Sequence, residues 1–245
     1  MPLNFPFDTA FCSWFKVVIS ASALFLSSSS SAGEIDCGGL QNHYGPFDYR
    51  SATQSEKYLV ERAHFTPAVE QLKSGKSSHL ASDISYTLSV YPNHPRALLA
   101  ISKLAQREKT DKPAYSIYSV HCWFDRAIRF RPDDPNVRMI YGVYLINKGK
   151  SREAVDHLEI AASYEKDNAN LNYNIGLAYF DLKQYDQSLA YAHRAYSLGF
   201  PLPGLKNKLV RAGKWRESTI VVRESEPIPS TGDSSVLPSS TPLDK

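Results

Sequence analysis

The sequence predicts an all-α protein built as a helix–turn–helix solenoid of about three repeats. Three observations carry this. Gly142 and Gly176 lie 34 positions apart, and Ala154/Ser188, Ala161/Ala195, Tyr141/Ile175 and Leu145/Tyr179 keep the same interval. A fixed period of this length marks units that cannot bury their own apolar faces and must stack on neighbours. Ala154, Leu158 and Ala161 recur at the spacing of one buried helical face. Proline punctuates the joins, at Pro132-x-x-Pro135 and, 40 positions earlier, at Pro92-x-x-Pro95.

The elements follow in chain order. Residues 1–32 read as a secretory signal: Lys16 precedes an apolar run, Val17–Leu26, and Ser30-Ser31-Ala32 suits cleavage after Ala32. The run is short for a membrane span. The alternative is an uncleaved N-terminal anchor, and no later segment is apolar enough to cross a membrane. Residues 33–76 read as an irregular arm. Gly38, Gly39, Gly45 and Pro46 exclude a regular helix at its start. Tyr44, Phe47, Tyr49 and Phe65 are too many aromatics for a linker, so the arm is expected to anchor onto something. Within it, Lys57–Ala63 predicts one or two helical turns. Thr66-Pro67 predicts an N-cap and first helical residue of a short helix reaching Leu72. Two placements of the arm compete: a cap over the first face of the stack, or an occupant of the concave groove.

Residues 77–214 carry the repeats. Leu80–Tyr91 predicts the second helix of a degenerate unit and Pro95–Gln106 the first helix of the next, followed by a long polar turn from Arg107 to Pro113. The stretch Arg126–Pro135 reads as the end of that repeat. Pro135 opens a clear unit and Ala169 another, with turns at Asn147–Lys150 and Leu182–Tyr185. Gly142, Ala161, Gly176 and Ala195 mark close helix crossings, with large side chains filling between them. Leu205–Gly213 predicts a capping helix with Leu205, Leu209 and Val210 on one side. Residues 225–245 are rich in Pro, Ser and Thr and predict a disordered tail.

This pattern of large–Gly–x–x–large on the first helix, and small residues on the second, resembles the tetratricopeptide (TPR) family, well over Pro135–Leu202 and with less fidelity before it. The resemblance implies a right-handed, TPR-type stack whose first helices line a concave groove. The groove positions so implied are Asn136, Met139, Ile140, Val143 and Asn147 in one unit and Asn170, Tyr173, Asn174, Leu177 and Phe180 in the next. Family members that hold carboxyl-terminal peptides use a clamp of basic and Asn residues. Asn170 and Asn174 match it in part, but Leu177 departs from a polar position and a lysine is missing, so no carboxylate clamp is expected. The arm's GPFDYR segment is similar to the opening of some exported bacterial TPR proteins, a likeness that brings no activity with it.

Charge and cysteines bound the function class. The chain has 245 residues and a net charge of +3. The two tails hold Asp8, Glu224, Glu226, Asp233 and Asp244 against Lys16 and Lys245, so the span between them is at +6. That is mild, and no nucleic-acid partner is expected. After cleavage Cys37 and Cys122 remain. An even count in an oxidising compartment is compatible with a disulfide between them. The other reading is one exposed thiol and one buried small apolar residue.

Chemistry is sparse. There is no phosphate-cradling glycine loop, no G-x-S-x-G, no H-E-x-x-H and no calcium loop. The seven histidines are scattered. His121 and Cys122 are neighbours on a helix and point apart, so no metal site is expected. Asp133-Asp134 reads as N-cap and first-turn residues, and Arg126, Arg129 and Arg131 as a solvated helix face. The expectation is therefore a non-catalytic scaffold without cofactor, exported and periplasmic. It would bind a protein or peptide through an apolar, amide-lined groove, in envelope assembly or secretion. The rivals are an adaptor in polysaccharide synthesis or export, and an enzyme of unrecognised type. Oligomeric state is not readable from the sequence.

Overall fold

The computed structural model describes residues 36–217; the predicted signal segment with its cleavage point and the Pro/Ser-rich tail lie outside the described residues. Among the described residues there are ten helices and no strand. Among the described residues, the chain from Cys37 forms one compact unit. Its buried apolar side chains run from Cys37 to Leu209, so this span carries a core of its own.

The helices are α1 (Gln54–His64), α2 (Pro67–Glu70), α3 (Leu80–Val90), α4 (Pro95–Glu108), α5 (Val120–Phe130), α6 (Pro135–Asn147), α7 (Ser151–Tyr164), α8 (Ala169–Asp181), α9 (Tyr185–Ser197) and α10 (Gly204–Arg211). α6 packs on α7 and α8 on α9 as antiparallel pairs, and α7 then packs on α8. α4, α6 and α8 also touch in sequence, forming a layer of first helices. The architecture is the helix–turn–helix solenoid that the 34-residue period predicts. α1 and α2 pack on α3 and close its first end; α10 packs on α8 and α9 and closes the last.

Local chemistry sets the boundaries. Each first helix starts on a side-chain cap at the same place in the repeat. His94 Nδ1 accepts from Ala97 N (3.2 Å), Asp134 Oδ1 from Asn136 N (3.0 Å), and Asn168 Oδ1 from Leu171 N (3.0 Å). Proline follows at the first helical position of α4 and α6. α1 is longer than the one or two turns expected. Thr53 and Glu56 form a capping box, with Glu56 Oε2 accepting from Thr53 N at 2.7 Å, and this adds a turn at the start. α2 is shorter: it stops at Glu70, and Leu72 turns left-handed with φ 58°.

The crossings are tight where glycine stands. A Cβ on Gly142 would lie 2.5 Å from Leu158 Cγ in α7, and one on Gly176 would lie 2.5 Å from Leu205 Cδ2 in α10. Gly176 thus seats the end helix as well as its own pair. In α10, Leu205 and Leu209 are fully buried, but Val210 is 52% exposed. One residue past Leu209 the helix has turned about 100°, so Val210 faces out and the expected third contact is absent. Trp215, beyond the helix, packs against this cluster instead.

The arm lies along α3 and α5. Phe47 N donates to Val90 O (2.8 Å) and Tyr49 N to Asn93 Oδ1 (2.9 Å). Tyr44, Tyr49 and Ala52 pack against Val60, Val90 and Tyr91. Cys37 and Cys122 are joined by a disulfide that spans 85 positions. The three arginines expected on a solvated face hold this arm. Arg126, 2% exposed, donates to Cys37 O (3.2 Å) and Gly39 O. Arg129 donates to Gly38 O (2.9 Å), and Arg131 pairs with Asp48 (3.1 Å). The correction has a simple cause: backbone carbonyls of an irregular segment need donors, and guanidinium groups supply several each.

Candidate functional site

One continuous concavity runs over the first-helix layer. It consists of two adjoining depressions of roughly 430 and 390 Å³. Leu99 of α4 and Ile140 and Val143 of α6 line both. Met139 completes the apolar floor of the first. Asn136, Asn170 and Asn174 frame that end; Asn147, Lys103 and Lys148 frame the other.

The helical period explains the lining. Asn136, Met139, Ile140, Val143 and Asn147 are spaced three or four apart, so they share one face of α6. The opposite face, with Val137, Tyr141 and Leu145, is buried in the core. Asn170 and Asn174 repeat the arrangement one turn apart on α8. Asn174 Nδ2 donates to both Asn170 O and Asn170 Oδ1 at 2.9 Å, which fixes the pair and leaves the Asn174 carbonyl oxygen for a guest.

The rim is cationic. Arg96 pairs with Glu61 and Glu70, each at 2.9 Å. Lys148 pairs with Asp111 at 2.5 Å. No carboxylate lines either depression. Tyr144 closes the second one; burial and the neighbouring Asp111 push its hydroxyl well above the usual phenol range. With its proton retained, this Tyr donates to Asp111 Oδ1 (3.4 Å) and brings no charge.

Six of the eight predicted groove residues are brought together here: Asn136, Met139, Val143, Asn147, Asn170 and Asn174. Tyr173 and Leu177 are placed elsewhere. Tyr173 stacks on Phe200 with centroids 4.0 Å apart and reaches Gly204, while Leu177 packs on the cluster of Leu189, Leu205 and Leu209. α10 docks over the last repeat, so α8 positions that line a groove in mid-stack become covered at its end. Phe180 joins the same cluster. Leu99, Lys103 and Gln106 of α4 belong to the lining and were not assigned from sequence, since their repeat lacks the glycine that would set its register.

A third depression, roughly 850 Å³, lies away from this groove, between α9, α10 and Trp215. It is a shallow shelf that ends at Glu217, the last described residue, so its outer wall is incomplete among the described residues. Beneath α1, His94 is buried with its second ring nitrogen 3.2 Å from Glu61 Oε1. That hydrogen bond, with help from Tyr49 and Arg96, holds the Glu61 carboxyl down to about 2, while burial lowers the His94 pKa. Both His94 ring nitrogens and the Tyr49 hydroxyl face partners in the helix junction, so this cluster organises structure. Likewise Asp83, wrapped by the N–H groups of Lys76 and Ser77 and touched by His64, pins the α2–α3 loop. Ser77 donates to Asp83 there, so the three side chains are not arranged as nucleophile, base and orienter.

No family model matches the chain, and no curated protein matches it. Among solved structures, one described as "MamA MSR-1 C2" is similar at 17% identity, covering 60% of this chain and 80% of that one with a TM-score of 0.40.

Proposed function

We propose that the protein is a non-catalytic scaffold that holds a peptide segment of a protein partner in the groove of α4, α6 and α8. One observation carries this reading. Leu99, Met139, Ile140 and Val143 form an apolar strip left open by the stack and framed by asparagine amides. An apolar floor selects bulky side chains, and amides grip backbone without demanding one sequence. The guest is a segment with bulky apolar side chains, helical or extended.

The setting we propose is the periplasm, in envelope assembly or secretion. The Val17–Leu26 run with Ser30-Ser31-Ala32 supports export, and the Cys37–Cys122 bond fits an oxidising compartment.

Selection from a displayed random-peptide library tests the reading. The expected result is enrichment of peptides carrying two or three bulky apolar residues, whose binding is lost in Val143→Asp. Failure to enrich any peptide, or enriched peptides indifferent to Val143→Asp in a folded variant, would remove it.

A further inference from the structure

A second surface adjoins the Lys109 end of the groove, where the α2–α3 loop meets the α4–α5 loop. The two loops are tied together. Arg107 Nη1 donates to Leu72 O (2.7 Å), Ser82 Oγ to Tyr115 O (3.4 Å), and the Tyr115 ring stacks on His79 with centroids 3.6 Å apart. Two large apolar side chains project from this edge: Tyr115 is 64% exposed and Ile117 55%.

The backbone holds Tyr115 out at a cost. Four non-glycine residues have positive φ among the described residues, and three stand in these loops: Leu72 (58°), Lys109 (52°) and Tyr115 (66°). A bulky aromatic in the left-handed region is an outlier, and such strain gathers where a surface is used. Burying Tyr115 would have been the ordinary solution, yet Ser116, its neighbour, is the buried one.

The same two loops carry four lysines. Lys73, Lys76, Lys109 and Lys112 are exposed, and none is in an ion pair among the described residues. The carboxylates of the α4–α5 loop are already engaged, Asp111 with Lys148 (2.5 Å) and Glu108 with Ala114 N (3.1 Å). Separated lysines around a projecting Tyr and Ile suit a planar anionic layer with an apolar interior. Tyrosine sits well at the boundary of such a layer, and each lysine near it adds attraction.

We infer that this edge docks on an anionic phospholipid surface, with Tyr115 and Ile117 entering the headgroup boundary and the four lysines resting on lipid phosphates. Apart from Lys109, the residues that line the groove on α4, α6 and α8 lie outside this edge.

Co-sedimentation with vesicles tests this, using the chain from Gly33 onward, whose core is self-contained. The expected result is binding to phosphatidylcholine vesicles that contain phosphatidylglycerol, none to phosphatidylcholine alone, and release as salt rises. Lys109→Glu/Lys112→Glu should weaken binding about tenfold or more. Tyr115→Asn should weaken it several-fold while keeping the fold, because Asn accepts the left-handed conformation. Lys166→Glu, on the α7–α8 turn, should bind like the wild type. The inference is overturned if the folded wild type ignores the anionic vesicles, if it binds neutral ones equally, or if the charge reversals change nothing. It is also overturned if Tyr115→Asn is without effect while soluble heparin competes fully, which would assign the edge to a polyanion.

Discussion

Arg126 donates to the carbonyl oxygen of Cys37 across 89 positions of sequence, and its guanidinium lies 4.5 Å from the Tyr118 ring centroid. The contact sits beside the Cys37–Cys122 bond, so covalent and polar ties converge on one point of the arm. Burial lowers the Arg126 pKa, but an arginine stays charged at any physiological pH. Arg126→Ala should therefore cost about 2–4 kcal/mol, through lost packing and stranded carbonyls. Urea unfolding measures the cost. Limited trypsin digestion should show earlier cleavage at Arg50 in the variant.

Breaking the bond itself should cost about 2–5 kcal/mol, because a long loop is released in the unfolded chain. Cys37→Ser/Cys122→Ser measured against the wild type reads this directly. The helical circular dichroism should persist, since most of the large core around Trp123, Leu158 and Ile175 comes from α3 to α8, outside the arm.

Gly142→Ala should destabilise by up to about 2 kcal/mol. A gain of roughly 1 kcal/mol in helix propensity is outweighed by overpacking of about 1–3 kcal/mol, since Leu158 is fully buried and meets the new Cβ at its branch point. Gly176→Ala should cost less, because the nearest atom it meets is the methyl end of Leu205, with the Ser188 carbonyl oxygen next at 3.3 Å. Thermal melts of the two variants give the order.

Acid should weaken the fold before any carboxylate titrates. His94 Nδ1 accepts from Ala97 N, so a proton there would abolish the cap of α4. Burial depresses the His94 pKa, so below about 6.5 the unfolded chain takes up a proton that the folded one refuses. Stability is then full above that pH and falls as pH drops toward the folded value. Glu61 adds a second loss as pH falls from its ordinary range toward about 2. His94→Asn keeps a cap and should flatten the first decline, read as melting temperature between pH 7 and 5.

Much of the fold was legible because a repeat writes itself twice. Gly142/Gly176 and Ala161/Ala195 set the register, and the residues of the α6 face followed from it. The unread parts lack that redundancy. Tyr173 and Leu177 occupy groove positions of the repeat, yet α10 covers them, and the docking of an end helix has no period. Arg126, Arg129 and Arg131 read as a surface because nothing local shows that carbonyls from about 90 positions away will meet them. The Thr53–Glu56 box was the one missed signal that local sequence did contain.

The groove assignment makes a contrast available within one helix layer. Tyr173→Ala should lose about 1–3 kcal/mol, because the ring is wedged against Phe200. Val143→Asp, at an open position, should change stability by less than about 1 kcal/mol. Paired melts of these variants separate end packing from groove lining.

Placing a photo-crosslinking amino acid at Val143 in the groove, and at Ile160, which is 41% exposed on α7, tests the central claim most directly. In cells, the account predicts a discrete crosslinked protein at position 143, lost when Met139→Asp is added, and none at 160. Equal crosslinking at both positions, or none at 143, would contradict it.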